Sequence, residues 1–456
     1  MSFREAVDDY QHGRLTAARE RLVTLDDVDA KLLFVRIQTR LGDTSDAAIA
    51  IELARELFAS AVVTVPDRIQ AGILLSFLLA RTGAVKDAEH CIKETKRLVD
   101  HTRMTADLES ELWLGDAVVL FAQDRHLECE QAAWNAIYAD LELGHSASAK
   151  RFGVVPIQST KARAFHILGL IRGSQERYHE QYRFLREAMV LLRSAPSRDV
   201  YLVSVLQANR SFYARDFGML NEIVELEVVL PHELWPKDVA KYRLEVARSL
   251  GYLYALKGYD QGAIDCFRDA FAGTTSAANR LLLLSDEAYI SRQRESPHIL
   301  VATLAEGCKI ADGVAWESID VERYALHAFA QELSFVNPSR ATAYMEYYFR
   351  LESKTNPLRV YDKRAAAEAQ YSMGLVAIAA GRRDLALDAF VKAYEIWREV
   401  GFRWRATAAA IELAGLSGST GFGSYAERES QQYPNSWLAR RVSRLGSRAS
   451  PVPFSR

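Results

Sequence analysis

The sequence predicts an all-α fold, a right-handed α-solenoid of about ten helical hairpins closed by a C-terminal helical cap. Three observations predict it. Equivalent packing residues at Val35, Ser76, Ala117, Gly169, Asn209, Gly251, Ala288, Ala330 and Gly374 are separated by 41, 41, 52, 40, 42, 37, 42 and 44 residues. A period of this size marks repeats that cannot bury an apolar face alone and must stack on their neighbours. Within one period, the stretch LGYLYALKGYDQGAIDCFRDA places Gly251, Tyr254, Ala263, Phe267 and Ala270 at intervals that return unchanged at Gly374, Ala377, Ala386, Phe390 and Ala393. Proline is sparse, at 11 in 456 residues, and alanine is abundant, which suits helices.

The hairpins follow in order. The first, Phe3 to Leu22, is short and turns at Gly13, with Ala18 and Leu22 packing as an N-terminal cap. The second turns at Gly42–Asp43 and packs through Ala47, Ile51 and Ala54. The third turns at Gly83, with Ala88 and Ile92 behind it. The fourth packs through Trp113, Ala117, Leu120, Ala133 and Ala136. The long step that follows is Leu143 to Gln158, whose Gly, Ser and Pro content predicts a loop, and Lys150, Arg151 and Phe152 form a basic-aromatic tip. Such an insertion either lies over a binding face or is a tolerated surface loop.

The fifth hairpin starts at Lys161 and packs through Leu168, Gly169, Leu185 and Ala188. The sixth carries Asn209 where Gly or Ala is usual, and ends in the Pro-flanked segment Leu230 to Asp238. The seventh turns at Lys257–Gly258. In the eighth, Pro297 opens the second helix, where the first turn tolerates proline. The ninth turns at Asn337–Pro338 and the tenth at Gly381. After a break at Gly401 come a further helix, Trp404 to Leu416, and a short polar helix near Tyr425 to Gln432. Domain bounds are therefore 1–416 for the solenoid, with its loop at about 143–158, 417–446 for the capping helices and 447–456 for a disordered tail.

The spacing around Gly251 resembles the tetratricopeptide (TPR) repeat, with a Leu-Gly pair, an aromatic, then Ala and Phe on a second helix. The usual Trp is Ala247 here and the closing Pro is missing. The period also exceeds the standard length of about 34 residues, so longer helices are expected. The segment Trp397 to Ala406 resembles the end of the TPR-type sensor region in MalT-like regulators of the LuxR type, as does Tyr433 to Leu438. That resemblance implies bacterial transcription regulation. Two of that family's parts are not seen: a helix-turn-helix after the solenoid, and a G-x-x-x-x-G-K-[ST] nucleotide loop.

Composition narrows the function. With 57 basic and 59 acidic residues the net charge is −2, so direct nucleic-acid binding and membrane association are not expected. No uncharged apolar run reaches the ~18 residues of a membrane helix. Cys91, Cys129, Cys266 and Cys308 are far apart, without a C-x-x-C pair, and read as buried thiols of a cytoplasmic protein. No metal or catalytic motif occurs, so neither an enzyme nor a cofactor is expected. Arg440, Arg441, Arg444 and Arg448 make the C-terminus basic without nearby acids, either a contact for nucleic acid or an acidic partner or a solvated last helix and tail.

TPR proteins resemble one another in binding ligands on the groove lined by their first helices. Projecting side chains beside the packing positions gives Arg163 and His166 in the fifth repeat, Asn209, Arg210 and Tyr213 in the sixth, and Glu245, Arg248 and Tyr252 in the seventh. The eighth supplies Tyr289 and Arg292, and the ninth Tyr324, His327 and Gln331. Arg and Asn suit a peptide backbone or carboxylate, and Tyr an apolar side chain. Each of these residues, taken singly, also fits a solvated helix face or a local ion pair, and the Asn209 amide also fits a bridge to a neighbouring helix. The leading expectation is a non-enzymatic sensor or adaptor that binds a peptide or small ligand and works with a protein partner, such as a separate transcription regulator. The alternative is an assembly scaffold without a ligand switch.

Overall fold

A computed structural model describes residues 3–41, 44–99, 104–143, 157–194, 200–217, 244–256, 259–293, 296–316, 324–355, 363–431 and 437–445. Among these residues the regular secondary structure is helical, without strands. The chain divides into two compact units. Unit 1 is Met1–Arg210 with Leu226–Val246, and unit 2 is Ser211–Glu225 with Ala247–Arg456.

Unit 1 is a run of antiparallel helical hairpins: α1 (Phe3–Gln11) with α2 (Leu15–Leu22), α3 (Val28–Leu41) with α4 (Thr44–Ala59), and α5 (Val65–Arg81) with α6 (Val85–Arg97). Then come α7 (Ala106–Ala122) with α8 (His126–Leu143), α9 (Ile157–Ser174) with α10 (Tyr178–Ser194), and the start of α11 (Val200–Phe217). Gly13 and Gly83 turn the chain at φ 74° and 82°, in the left-handed region where only glycine is free of a Cβ penalty. Thr64 caps α5, with Pro66 in its first turn. Val35, Ser76 and Ala117 at the repeat positions are buried, and so are Ala18, Ala54, Ala88, Ala133, Ala136 and Ala188 of the second helices. In one layer Leu114, Ala117, Cys129, Ala133, Ala136, Ala164, Leu168 and Ile171 form a core, flanked by Trp113, Trp134, Phe165 and Phe184. Alanine on one helix lets the next approach closely enough for these rings to fill the flanks.

Deep in unit 1, Arg36 of α3 donates to Glu111 of α7 at 2.6 Å, with both side chains almost fully buried. Arg36 Nε and Nη2 and Glu111 Oε2 find no further partner. The pair links first helices two repeats apart.

Unit 2 holds the end of α11 and, from Ala247 on, α12 (Leu244–Leu256) and α13 (Asp260–Gly273), α14 (Ala277–Gln293) and α15 (Pro297–Asp312), and α16 (Tyr324–Leu333) and α17 (Pro338–Thr355). It ends with α18 (Lys363–Ala379) and α19 (Arg383–Glu399), α20 (Arg403–Ser417), α21 (Thr420–Ser430) and α22 (Trp437–Leu445). The Gly251 spacing has a direct cause: a Cβ on Gly251 would run into the ring of Phe267, and one on Gly374 into the ring of Phe390. Each ring is essentially fully buried, worth about 1.5–3 kcal/mol of transfer free energy. Gly307 and Phe329 repeat the device with the order reversed, glycine on the second helix and phenylalanine on the next first helix. Pro297 opens α15 as expected, and Gly381 and Gly401 turn at φ 74° and 81°.

Some expectations meet the structure differently. Helix α8 runs to Leu143 and α9 begins at Ile157, so the ends of the expected loop are helical, and 144–156 lie outside the described residues. The turns at Gly42–Asp43 and Lys257–Gly258, the segment Leu230 to Asp238 and the residues from 446 onward also lie outside them. On α4 the buried face is Ala50, Ala54 and Leu57, with Ala47 and Ile51 at its edge. Arg441 does have a nearby acid: it donates to Glu412 of α20 at 2.5 and 3.1 Å. The last helix is thus tied down by a pair that sequence separation concealed. All four cysteines are free and buried. Among the described residues no helix is long and apolar enough to cross a membrane.

Candidate ligand-binding face

The expected site residues fall in both units. In unit 1, Arg163 and His166 are half-buried on α9, and Arg210 is buried on α11. The Asn209 amide lies 3.3 Å from His166 Nε2. This is a bridge between first helices one period apart, as its amide suggested. Glu245 lies in α12, but its side chain is outside the described residues.

Unit 2 brings the others together. Arg248 of α12 donates through Nε and Nη2 to Asp286 of α14, at 2.6 and 3.2 Å. The Tyr252 hydroxyl donates to the same carboxylate at 2.7 Å. The rings of Tyr252 and Tyr289 are 6.0 Å apart. Arg292 of α14 repeats the arrangement one repeat on, donating to Glu332 of α16 at 2.8 and 3.2 Å. Its guanidinium is also fixed over Phe335, at 4.1 Å. A ladder results, with an arginine on one first helix and a carboxylate on the next. Burial lowers the pKa of Arg248 and of Arg292, and the paired carboxylates more than reverse it.

A hydrogen-bonded chain runs beside the ladder. The Ser372 hydroxyl donates to Gln331 Oε1 at 2.9 Å, and Gln331 Nε2 donates to Glu332 at 3.0 Å. Since Ser372 gives its one proton to Gln331, His327 Nδ1, 3.2 Å away, is the donor of that pair. His327 is buried beneath the face with its ring against Tyr348, 5.0 Å away. Burial, helped by Arg248 and opposed by Glu368, pushes its pKa down to about 4. It is therefore neutral at pH 7. Glu368 stays ionised: burial raises its pKa, but Arg364, Arg405, His327 and Arg248 bring it down to about 2. Tyr324 is half-buried on α16, close enough to Arg248 to interact with it electrostatically.

The end of α11 packs against α18 and α20 within unit 2. Asp216, at the end of α11, is buried beneath Arg405 of α20 at 3.3 Å and Arg364 of α18 at 3.9 Å. Phe217 meets Phe402 edge-on at 5.3 Å. Arg364 also lies over the Tyr213 ring, at 5.7 Å.

Sequence reasoning missed Asp216, Asp286, Glu332, Arg364, Glu368, Ser372 and Arg405. A usable signal existed for two of them. Asp286 and Glu332 follow Arg248 and Arg292 by 38 and 40 residues, about one repeat. Asp216 and Arg405, 189 residues apart, leave no such trace.

The fold is also that of known proteins. Apo RapI aligns with a TM-score of 0.52 at 13% identity, over 82% of this chain and 98% of RapI. This likeness shows the helical-repeat fold and nothing finer. Two looser alignments bear no weight. A Rap protein complexed with competence and sporulation factor gives a TM-score of 0.46 at 8% identity, over 83% and 99% of the two chains. A human IFIT1 dimer with PPP-AAAA gives 0.44 at 12% identity, over 98% and 100%. No family profile and no curated protein matches the sequence.

Proposed function

We propose that the chain is a non-enzymatic, TPR-like binding protein that takes a peptide on the first-helix face of unit 2. The observation that carries this is the convergence of Arg248, Tyr252, Tyr289 and Arg292 with Arg364 and Arg405 on one partly open face. Guanidinium groups supply directed donors, and the tyrosine rings supply flat apolar area with little rotamer entropy to lose. His327, Gln331 and Ser372 act from beneath, holding the ladder in register.

In this reading the protein is a cytoplasmic sensor or adaptor. The four separately buried thiols fit a reducing compartment. A ligand would act by binding one curvature of the helix stack better than another, since only differential affinity shifts such an equilibrium. The resemblance of Trp397 to Ala406 to LuxR-type regulators favours transcription regulation through a separate protein, and Arg405 of that segment sits on the face itself. A scaffold that only holds two proteins is the alternative.

The test is to isolate the full chain from its native cells, identify co-purifying peptides by mass spectrometry, and titrate the synthetic peptide calorimetrically. Arg248→Ala and Arg292→Ala are each expected to weaken binding about tenfold or more, the worth of one charge-assisted contact. Unchanged affinity in both folded variants would remove the site from this face. Protein partners with no bound peptide would favour the scaffold.

A further inference from the structure

We infer that the peptide is acidic: a single extended chain whose carboxylates meet the unit 2 arginines. This rests on the peptide-binding reading and adds the ligand's chemistry. The ground for it is an asymmetry inside the ion pairs. The Arg248 side chain keeps 27% of its surface exposed while Asp286 keeps 4%. The figures are 18% against 2% for Arg292 and Glu332, and 28% against 0% for Arg405 and Asp216. In each pair the carboxylate lies underneath and the guanidinium faces the open side. The pairs are neutral by count, but an arriving ligand meets arginine N–H groups and aromatic rings. Asp286, Glu332 and Asp216 are out of its reach, whereas Glu368, 28% exposed and paired with Arg364 and Arg405, shares the surface with them.

The geometry leaves a donor for that ligand. Arg248 and Arg292 each spend Nε and Nη2 on their own carboxylate, and among the described residues Nη1 makes no hydrogen bond, which leaves it for a ligand. Packing against Tyr289 and Phe335 fixes the plane of Arg292, and a donor held in place beforehand loses little entropy on binding. A carboxylate is the natural acceptor for such a fork edge. One feature favours a peptide over nucleic acid. The rings at this face are tilted, Tyr252 at 59° to Tyr289 and 68° to Phe267, which makes no flat platform for stacked bases.

The test uses fluorescein-labelled random peptide pools of about ten residues, long enough when extended to cross several helices. One pool draws on Asp, Glu, Phe, Leu, Gly and Ser, a second replaces Asp and Glu by Asn and Gln, and a third by Lys. A labelled oligothymidylate of similar length is the fourth probe. Anisotropy with the full chain is expected to show the acidic pool binding about tenfold tighter than its amide counterpart, weakening with salt.

Arg248→Gln with Arg292→Gln should abolish that preference. Asp286→Asn, which keeps the shape but uncovers the Arg248 charge, should enhance it. Equal binding of the acidic and amide pools, with both reduced by the arginine variants, would overturn the acidic assignment and leave the peptide site standing. No binding of any pool would overturn both. Preference for the oligothymidylate would overturn the peptide in favour of nucleic acid. A weaker or unchanged acidic preference in folded Asp286→Asn would overturn the assignment even where the arginine variants fail to fold.

Discussion

Replacing His327 by glutamine should flatten the acid side of the protein's stability profile. His327 is buried in unit 2, with Ser372 and Tyr348 against its ring and with Glu368 and Arg248 near enough to act on its charge. Burial holds its folded pKa at about 4, against an ordinary 6.5. The unfolded chain therefore binds a proton between those values that the folded chain refuses. This contribution is intact above pH 6.5 and is lost as pH falls toward 4. At pH 5 the difference amounts to about 2 kcal/mol, rising to about 3 kcal/mol at lower pH. For a unit of this size that is a shift of roughly 4–8 °C in melting temperature. Glu368, held at about 2 against 4.5, adds its own loss only below pH 4.5, so the two windows separate. The assay is thermal unfolding by circular dichroism at pH 7.5 and pH 5 for wild type and His327→Gln. Wild type should lose about 2 kcal/mol more than the variant between the two conditions. Equal losses would refute the burial of a neutral imidazole beneath the face.

Three further outcomes are expected. Gly251→Ala puts a methyl into the Phe267 ring. In a urea titration, overpacking of about 1–3 kcal/mol should outweigh the helix-propensity gain of about 1 kcal/mol, whereas Gly423→Ala in α21, with open space around it, should stabilise. Glu111→Ala strands the buried Arg36 guanidinium and should cost about 3–5 kcal/mol. The double change Arg36→Met with Glu111→Leu should come within about 1 kcal/mol of wild type or exceed it; chemical denaturation of both distinguishes these from a uniform loss. Burial pushes the thiol pKa of Cys91 up to about 11 and that of Cys129 to about 12. Iodoacetamide at neutral pH should therefore label neither until the chain is unfolded, and native labelling of Cys129 would contradict its place in the core.

The fold was legible because its signal is local and repeated. Gly251 with Phe267 and Gly374 with Phe390 are pairs within one hairpin, and the close approach that excludes a Cβ fixes both residue types at a constant spacing. Gly307 with Phe329 escaped notice because it joins two hairpins and reverses the order. The candidate face was legible in half. Its arginines and tyrosines project from the first helices beside the packing positions, and helical periodicity finds them. Its carboxylates do not stand out, since Asp286 and Glu332 are ordinary helix residues until a neighbouring arginine is placed over them. Asp216 and Arg405 meet across 189 residues, a separation that no repeat spacing encodes. The same blindness made Arg441 look unpaired when Glu412 lies against it.

Hydrogen–deuterium exchange of the full chain, with and without a saturating acidic peptide from the selected pool, tests the central claim most directly. The account predicts slowed exchange in the first helices of unit 2, namely α12, α14, α16, α18 and α20, with the second helices α13, α15, α17 and α19 little changed. Protection confined to unit 1, or spread over the second helices, would contradict it.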